Sequence, residues 1–281
     1  MRRQAVKSAS RILEILELFS DERRPLRLNE IYQALAYPQS STTNLLKSMV
    51  MMGYLNYNRP TRTYLPTNRV SLLGNWLMSF LYGQSGYYEA LLDELLAKTD
   101  ETVVIATQND LFIQYIAVRT PKHEFKVPPP EGTMRLLTDS SAGFALMSQI
   151  KDRTIDKLCR YINYYELSNP RVDIEKVLKK VSVVRQQGFC FLPYRPTSNL
   201  SSIAFPLGEH VHGIPLAVGV GGFSDRIQQR KEALVEILRE TISDFHHMRD
   251  AAPLAEMGGR PAMVDRSLEA DDLDSVHAIQ T

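Results

Sequence analysis

The sequence predicts an α+β protein in two dissimilar parts, a winged helix-turn-helix at the N-terminus and a larger domain built on an antiparallel sheet. Three observations lead there. Residues 1–68 carry short helical apolar periods closed by a hairpin pattern. Beyond residue 86 the pattern changes to clustered strand-like runs with short links, flanked by helical periods. Basic charge gathers at the start: residues 1–70 hold 11 Lys plus Arg against five Asp plus Glu, net +6.

In the first part, Ile12, Ile15, Leu16 and Phe19 recur at i, i+3, i+4 and i+7. They form one face of a helix over 6–19, which Ser8 or Ser10 can cap. After the turn-rich Ser20–Pro25, Asn29 can cap a short second helix burying Ile31, Ala34 and Leu35, stopped at Tyr37-Pro38. A third helix begins near Ser40. Its stretch SSTTNLLKSMVMMG separates into an inward stripe of Leu45, Leu46, Met49 and Met52 and an outward one of Ser40, Thr43, Asn44 and Lys47. The outward stripe is polar and short-chained and lacks acid, as a helix lying in a major groove requires; an ordinary amphipathic helix with a solvated face reads the same way. Two short helices meeting across Ala36–Gln39 make a helix-turn-helix.

The next segment decides between those readings. Leu55, Tyr57, Thr63, Tyr64 and Leu65 flank a turn at Asn58–Thr61, giving a hairpin with Arg59 and Arg62 near its tip. A hairpin directly after such a helix is a wing, and its arginines would reach phosphates or a minor groove. Asn68 can cap a further helix from Arg69 to about Leu81. Val70, Leu72, Leu73, Trp76, Leu77, Met78, Phe80 and Leu81 make it apolar over most of its circumference. Such a helix needs cover on several sides, from the second domain, from a symmetry mate, or from both. Gly83–Gly86 marks the joint between domains.

The second part opens with a helix over Tyr87–Lys98, then strands over 102–107 and 111–118 joined antiparallel through Asn109-Asp110. Helices follow near Ser140–Gln149, Ile155–Tyr161 and Ile174–Gln187, the last closed by Gly188. Strands are expected over Phe189–Leu192, Ser202–Leu207 and Ile214–Val220, with a final helix over Asp225–Met248. Residues 71–250 are near neutral at net −1, and 251–281 are acidic at net −4 without periodicity, the pattern of a disordered tail. The expected boundaries are therefore 1–68 for the winged helix-turn-helix, 69–86 for a linker helix and joint, 87–250 for the second domain and 251–281 for the tail.

Several chemistries find no support. Cys159 and Cys190 are too few for a disulfide scaffold and lack a CxxC spacing, so both are expected reduced and packed. No apolar run approaches the ~18 residues of a membrane span and the start carries no secretion signal, so a cytoplasmic protein is expected. His210 and His212 lack companion ligands for a metal, and His246-His247 are explained by the negative end of the last helix. The Gly219–Gly222 cluster lacks phosphate-loop context and reads as a turn at a strand end. Pro128–Pro130 is a stiff spacer, either bordering a ligand pocket or a plain surface connector. No nucleophile elbow or paired carboxylate can be nominated, so no catalytic residue, metal or cofactor is expected.

The run SASRILEILELFSDERRPLRLNEIYQALAYPQSSTTNLLKSMVMMGYL, with the wing ending TRTYLPTNRVSLLG, resembles the IclR family of bacterial transcription regulators. Downstream, SSAGFALMS at 140–148 resembles that family's Ala-Leu-Gly-Lys-Ala-Leu helix start, and SSIAFPL at 201–207 its Cys-Ile-Ala-Ala-Pro strand. The resemblance covers about 1–250. It implies a homodimer or tetramer that binds double-stranded DNA and, through a GAF-like second domain, a small metabolite. The implied DNA contacts are Arg11, Gln39, Ser40, Ser41, Thr43, Asn44, Lys47, Arg59 and Arg62. Gln39 and Asn44 replace the family's usual Lys and Arg, and amides pair with adenine edges where arginine prefers guanine.

The implied effector pocket is framed by Leu137, Ser141, Ala142, Leu192, Ser202 and Ile203. Ser202 stands for the frequent Cys, and Leu192 for an acidic contact of some members. Such a pocket suits a small organic acid with an apolar or aromatic body, whose carboxylate Arg135 or Arg195 could approach. Two other readings remain at this stage: a cytoplasmic enzyme with an accessory winged domain, and a winged-helix protein-interaction module.

Overall fold

The computed structural model describes residues 6–82, 86–122, 129–193, 199–211 and 214–251. Residue contacts divide the chain into two units, Met1–Phe80 with Arg160–Val172, and Leu81–Cys159 with Asp173–Thr281. Of the expected tail 251–281, Ala251 belongs to the last helix and 252–281 lie outside the described residues, as do Gly83–Ser85 of the expected joint, Arg195, His212 and Pro128.

The first unit is built on α1 (Lys7–Glu22), α2 (Leu28–Ala34) and α3 (Gln39–Met51) with a small sheet. Ile15 and Phe19 of α1, Ile31 of α2 and Leu46 and Met49 of α3 close on one another with Leu26 and Leu55 as the core. Each side chain withdrawn from water in this way contributes roughly 1.5–3 kcal/mol. The expected caps are placed differently. Ser8 and Ser10 lie inside α1, and the extended Val6 precedes it. At α2 the Glu30 carboxylate reaches back to the Arg27 amide at 2.7 Å, doing from the third helical position what Asn29 was expected to do from the start. That contact and the Arg24 guanidinium hold Glu30 below the usual carboxylate range.

Strand β1 (Leu26–Arg27) pairs with β3 (Thr63–Pro66), which pairs with β2 (Leu55–Asn58), all antiparallel. The β2–β3 hairpin is the wing, its loop Arg59–Arg62, and Tyr57 opposite Tyr64 brings two rings to 4.7 Å. Met52, expected in the core, is 57% exposed, and Met51 is 88% exposed; α3 ends at Met51, so Met52 falls just outside the helical period that buries Leu46 and Met49. Helix α4 spans Asn68–Tyr82, with Leu72, Leu73, Trp76 and Leu77 exposed.

In the second unit, α5 (Tyr87–Thr99) leads into a six-stranded antiparallel sheet of order β6-β5-β4-β9-β8-β7. The strands are β4 (Thr102–Asn109), β5 (Phe112–Arg119), β6 (Met134–Leu136), β7 (Cys190–Leu192), β8 (Leu200–Val211) and β9 (Ile214–Phe223). Strand alternation sorts the two faces. Ile203, Phe205 and Leu207 of β8 and Leu216, Val218 and Val220 of β9 pack on Leu91 and Leu95 of α5 and on Leu234, Leu238 and Phe245 of α10 (Lys231–Ala251). The intervening Ser202 and Ala204 face the other way, toward α6 (Ser141–Met147), with α7 (Asp152–Tyr164) and α8 (Ile174–Gln187) following it in the chain. Arg185 of α8 fastens the α6–α7 turn, donating to Ser148 O, Ile150 O and Asp152 at 2.5–3.0 Å.

Two expectations are corrected in this unit. Gly219–Gly222 is no turn: these residues pair with β8 inside β9, Gly219 opposite Ala204. The expected single last helix is two, α9 (Ser224–Gln229) and α10, broken at Arg230. Arginines in α9 and at the break converge on Glu101, which is fully buried. Arg226 donates to it at 2.7 Å, and Arg230 lies 3.6 Å from it while donating to Thr99 O at 3.0 Å. His246, expected to complement a helix end, instead sits mid-helix with Nε2 2.8 Å from Leu207 O.

Candidate nucleic-acid interface and effector site

Helix α3 enters from Pro38, an extended residue whose carbonyl collects the first helical amide, that of Thr42, at 3.1 Å. Its small hydroxyls are turned to the backbone. Ser41 and Thr42 donate to Pro38 O at 3.0 and 3.1 Å, and Thr43 donates to Gln39 O at 2.8 Å. Thr42 is fully buried and Thr43 half-buried, so Thr43 lies on the flank of the exposed face rather than at its centre. At 100° per residue the centre carries Ser40, Asn44, Lys47 and Met51, all exposed, with Gln39 exposed at the helix start. Helix α3 contains no acidic residue. Beside it runs an open groove of about 510 Å³, lined by Lys7 and Arg11 of α1 and by Ser41, Asn44, Leu45 and Ser48 of α3.

Arg11 is held in place. Its guanidinium lies 4.6 Å from the centre of the Tyr37 ring, and Nη1 donates to Ser41 Oγ at 3.4 Å. Tyr37 thus holds an arginine that lines the groove, although the sequence marked it only as a turn residue; its partner is 26 positions away, and no local pattern reports that. Arg59 and Arg62 are exposed on the wing loop, Arg62 at φ 55°, where Asn58 Oδ1 accepts the Thr61 amide at 3.2 Å. The structure thus joins Arg11, Ser41 and Asn44 along one groove and leaves the wing arginines at the hairpin tip.

In the second unit, Ser140 caps α6 by accepting the Gly143 amide at 2.9 Å. Gly143 must be glycine because a Cβ there would collide with the Leu137 carbonyl, so the short helical turn Leu137–Asp139 packs flush on α6. Ser141 Oγ donates to Ser202 Oγ at 2.8 Å across to the sheet, and Leu192 lies opposite Ser202 in register. Leu137, Ser141 and Ala142 are buried there, and Ser202 and Leu192 half-buried. Ile203 is the exception: its side chain belongs to the α5–α10 core on the opposite face, one residue out of phase with Ser202.

Arg135 stands on β6, opposite Ile113 of β5 and two residues before Leu137. There it hydrogen-bonds Tyr115, whose phenol is pushed up by burial and eased back by that cation. Thr138, which the sequence does not single out, is 8% exposed and its Oγ1 has no hydrogen-bond partner among the described residues. A buried hydroxyl left open beside such a cluster is a ready contact for a polar group of a ligand.

Cys159 and Cys190 are buried, their thiols pushed up by burial to about 11 and about 12. Both stay protonated and unreactive near neutrality. Among the described residues no cluster of His, Cys, Asp or Glu could hold a metal, and no helix is long and apolar enough to cross a membrane.

Residues 8–59 match the IclR helix-turn-helix domain, and residues 87–247 match the bacterial transcriptional regulator IclR C-terminal domain. The chain belongs to the IclR family of transcriptional regulators. Its helix-turn-helix is accordingly a DNA-binding unit and its second domain an effector domain.

Among relatives, the chain is 22% identical over 263 residues to the transcriptional repressor IclR of Escherichia coli K12, covering 87% of this chain and 92% of that one. It is 23% identical over 250 residues to the Pca regulon regulatory protein of Pseudomonas putida, covering 85% and 83%. An IclR homolog from Microbacterium hydrocarbonoxydans, crystallised with 4-hydroxybenzoate, superposes with a TM-score of 0.62 at 16% identity, covering 87% of this chain and all of that one. At these identities the structural likeness speaks for the fold.

Proposed function

We propose that this IclR-family protein binds a palindromic operator as a homodimer or tetramer in the cytoplasm and responds to a small organic acid with an aromatic or apolar body. The observation that carries the DNA half is the acid-free exposed face of α3, Ser40, Asn44 and Lys47, running beside the groove that holds Lys7 and Arg11. Asn44 reads a base edge, Arg11 and Lys47 take phosphates, and Arg59 and Arg62 reach the backbone or minor groove from the wing. The exposed Leu72, Leu73, Trp76 and Leu77 of α4 are the face through which two copies meet, so that the two α3 helices address successive turns of the duplex.

The effector seats against α6 in a GAF-like domain of residues 87–250, with the winged helix-turn-helix at 1–68 and the linker at 69–86. Leu137, Ala142 and Leu192 contact its apolar body, and the Thr138, Ser141 and Ser202 hydroxyls meet its polar group. The 4-hydroxybenzoate bound by one structural neighbour supports this class of ligand. No step of the proposal is catalytic. Genomic footprinting of the full chain, with and without a panel of benzoates and short aliphatic acids, tests both halves together. Protected palindromes that shift with one acid are expected; an absence of protected sites would overturn the regulator reading.

A further inference from the structure

The C-terminal exit of α3 and the N-terminal entry of α4 are tied into one joint. Helix α3 ends on Gly53 at φ 78°, a left-handed conformation that suits glycine. There the Gly53 and Tyr54 amides return to Val50 O and Met49 O at 3.0 and 2.9 Å. The carbonyls of Met52, Gly53 and Tyr54 are each taken by a donor in the first turn of α4 or in Thr67 just before it. Arg69 Nη1 donates to Met52 O at 2.8 Å, Thr67 Oγ1 to Gly53 O at 2.6 Å, and the Thr67 amide to Tyr54 O at 2.9 Å. The same Thr67 hydroxyl accepts the Arg69 amide at 3.3 Å, capping α4 while holding α3. The Arg69 guanidinium also lies 4.9 Å from the centre of the Tyr54 ring, its charge at the negative end of α3.

We propose that Arg69, with Thr67, is a positioning residue that makes α3 and α4 one rigid lever, so that any turn of α4 moves the recognition helix by the same angle. The inference rests on the DNA-binding reading above and adds to it the route by which α4 sets the separation of the two recognition helices. A loose joint would let each α3 find its half-site independently. A rigid one makes affinity depend steeply on half-site spacing, which is what allows a change at α4 to act on binding at all. Arg69 acts here through Met52 and Tyr54 and contacts no DNA.

The test uses the full chain and an operator selected from a random duplex library. Affinity is measured by fluorescence anisotropy on that operator, on versions with one or two base pairs added or removed between half-sites, and on a single half-site. The wild type is expected to lose about tenfold or more on mis-spaced sites, roughly 1.4 kcal/mol. Arg69→Met should cut that penalty to about threefold or less while leaving half-site affinity within about twofold, the spacing-dependent energy being lost and the contact energy kept. Arg69→Lys should restore part of the spacing dependence, because an ammonium still donates to Met52 O but lacks the plane that stacks on Tyr54.

An unchanged spacing profile in Arg69→Met would overturn the proposal. So would a parallel loss on every site together with a salt slope lower by about one, the mark of a phosphate contact. If the wild type selects no paired half-sites, the regulator reading itself fails, and that outcome is visible before any variant is made.

Discussion

Glu101 is the residue whose environment contrasts most with its chemistry: a carboxylate with no exposure, met by Arg226 and Arg230 whose side chains keep 36% and 38% of theirs. Burying an ion is unfavourable unless it is paired, and here one partner lies in α9 and the other at the break before α10. Glu101→Ala is expected to cost about 3 kcal/mol, the low end of what removing one partner of a buried pair costs, because the two arginines can turn to water. Urea unfolding of the wild type and the variant measures it; a change within about 0.5 kcal/mol, the size of an ordinary surface substitution, would show that the pair contributes nothing. None of this was legible in sequence, where Glu101 is one acid among 32 and its partners lie about 125 residues downstream. Asn44, by contrast, was legible, because a helical period places it on a face whatever the tertiary structure.

At the scale of elements, periodicity located helices well and their ends poorly. Helix α8 spans Ile174–Gln187 as expected and ends at Gly188, since the glycine's cap chemistry is local; the Asp173 side chain, which accepts the Lys176 amide at its start, emerged only from the structure. Helix α2 did not, because Glu30 displaced Asn29 as the group that satisfies its first amides. Ile203 shows the same limit in the sheet: the family likeness of its segment carries the strand, and the phase along the strand decides which face each residue serves. The exposed apolar stripe of α4 was anticipated as a surface needing cover, and the described residues of this chain leave it open at Leu72, Leu73 and Trp76, each 58–59% exposed. If a second copy covers it, Leu73→Glu with Trp76→Glu should convert the assembly to monomers in sedimentation velocity while the second domain keeps its fold. An assembly unchanged in mass would place the contact between copies elsewhere.

For the whole molecule, the charge account and the fold agree. A chain of net charge +1 carries a +6 segment, and that segment is the winged helix-turn-helix that the family match assigns to DNA. The fold class and family were legible because they rest on the order of elements and on motif residues close together in sequence. Arg11 on Tyr37 and the Thr67–Arg69 joint were not, because each depends on which segments meet in the fold, and the burial of Thr138 was not, because it depends on what packs over its turn.

The central claim is that the α3 face with its flanking cations binds an operator. Its most direct measurement is the salt dependence of affinity for the selected operator, in the wild type and in Lys47→Ala. Log affinity should fall linearly with log salt concentration, and the variant's slope should be shallower by about one per half-site. Affinity that does not respond to salt, or a slope that Lys47→Ala leaves untouched, would contradict it.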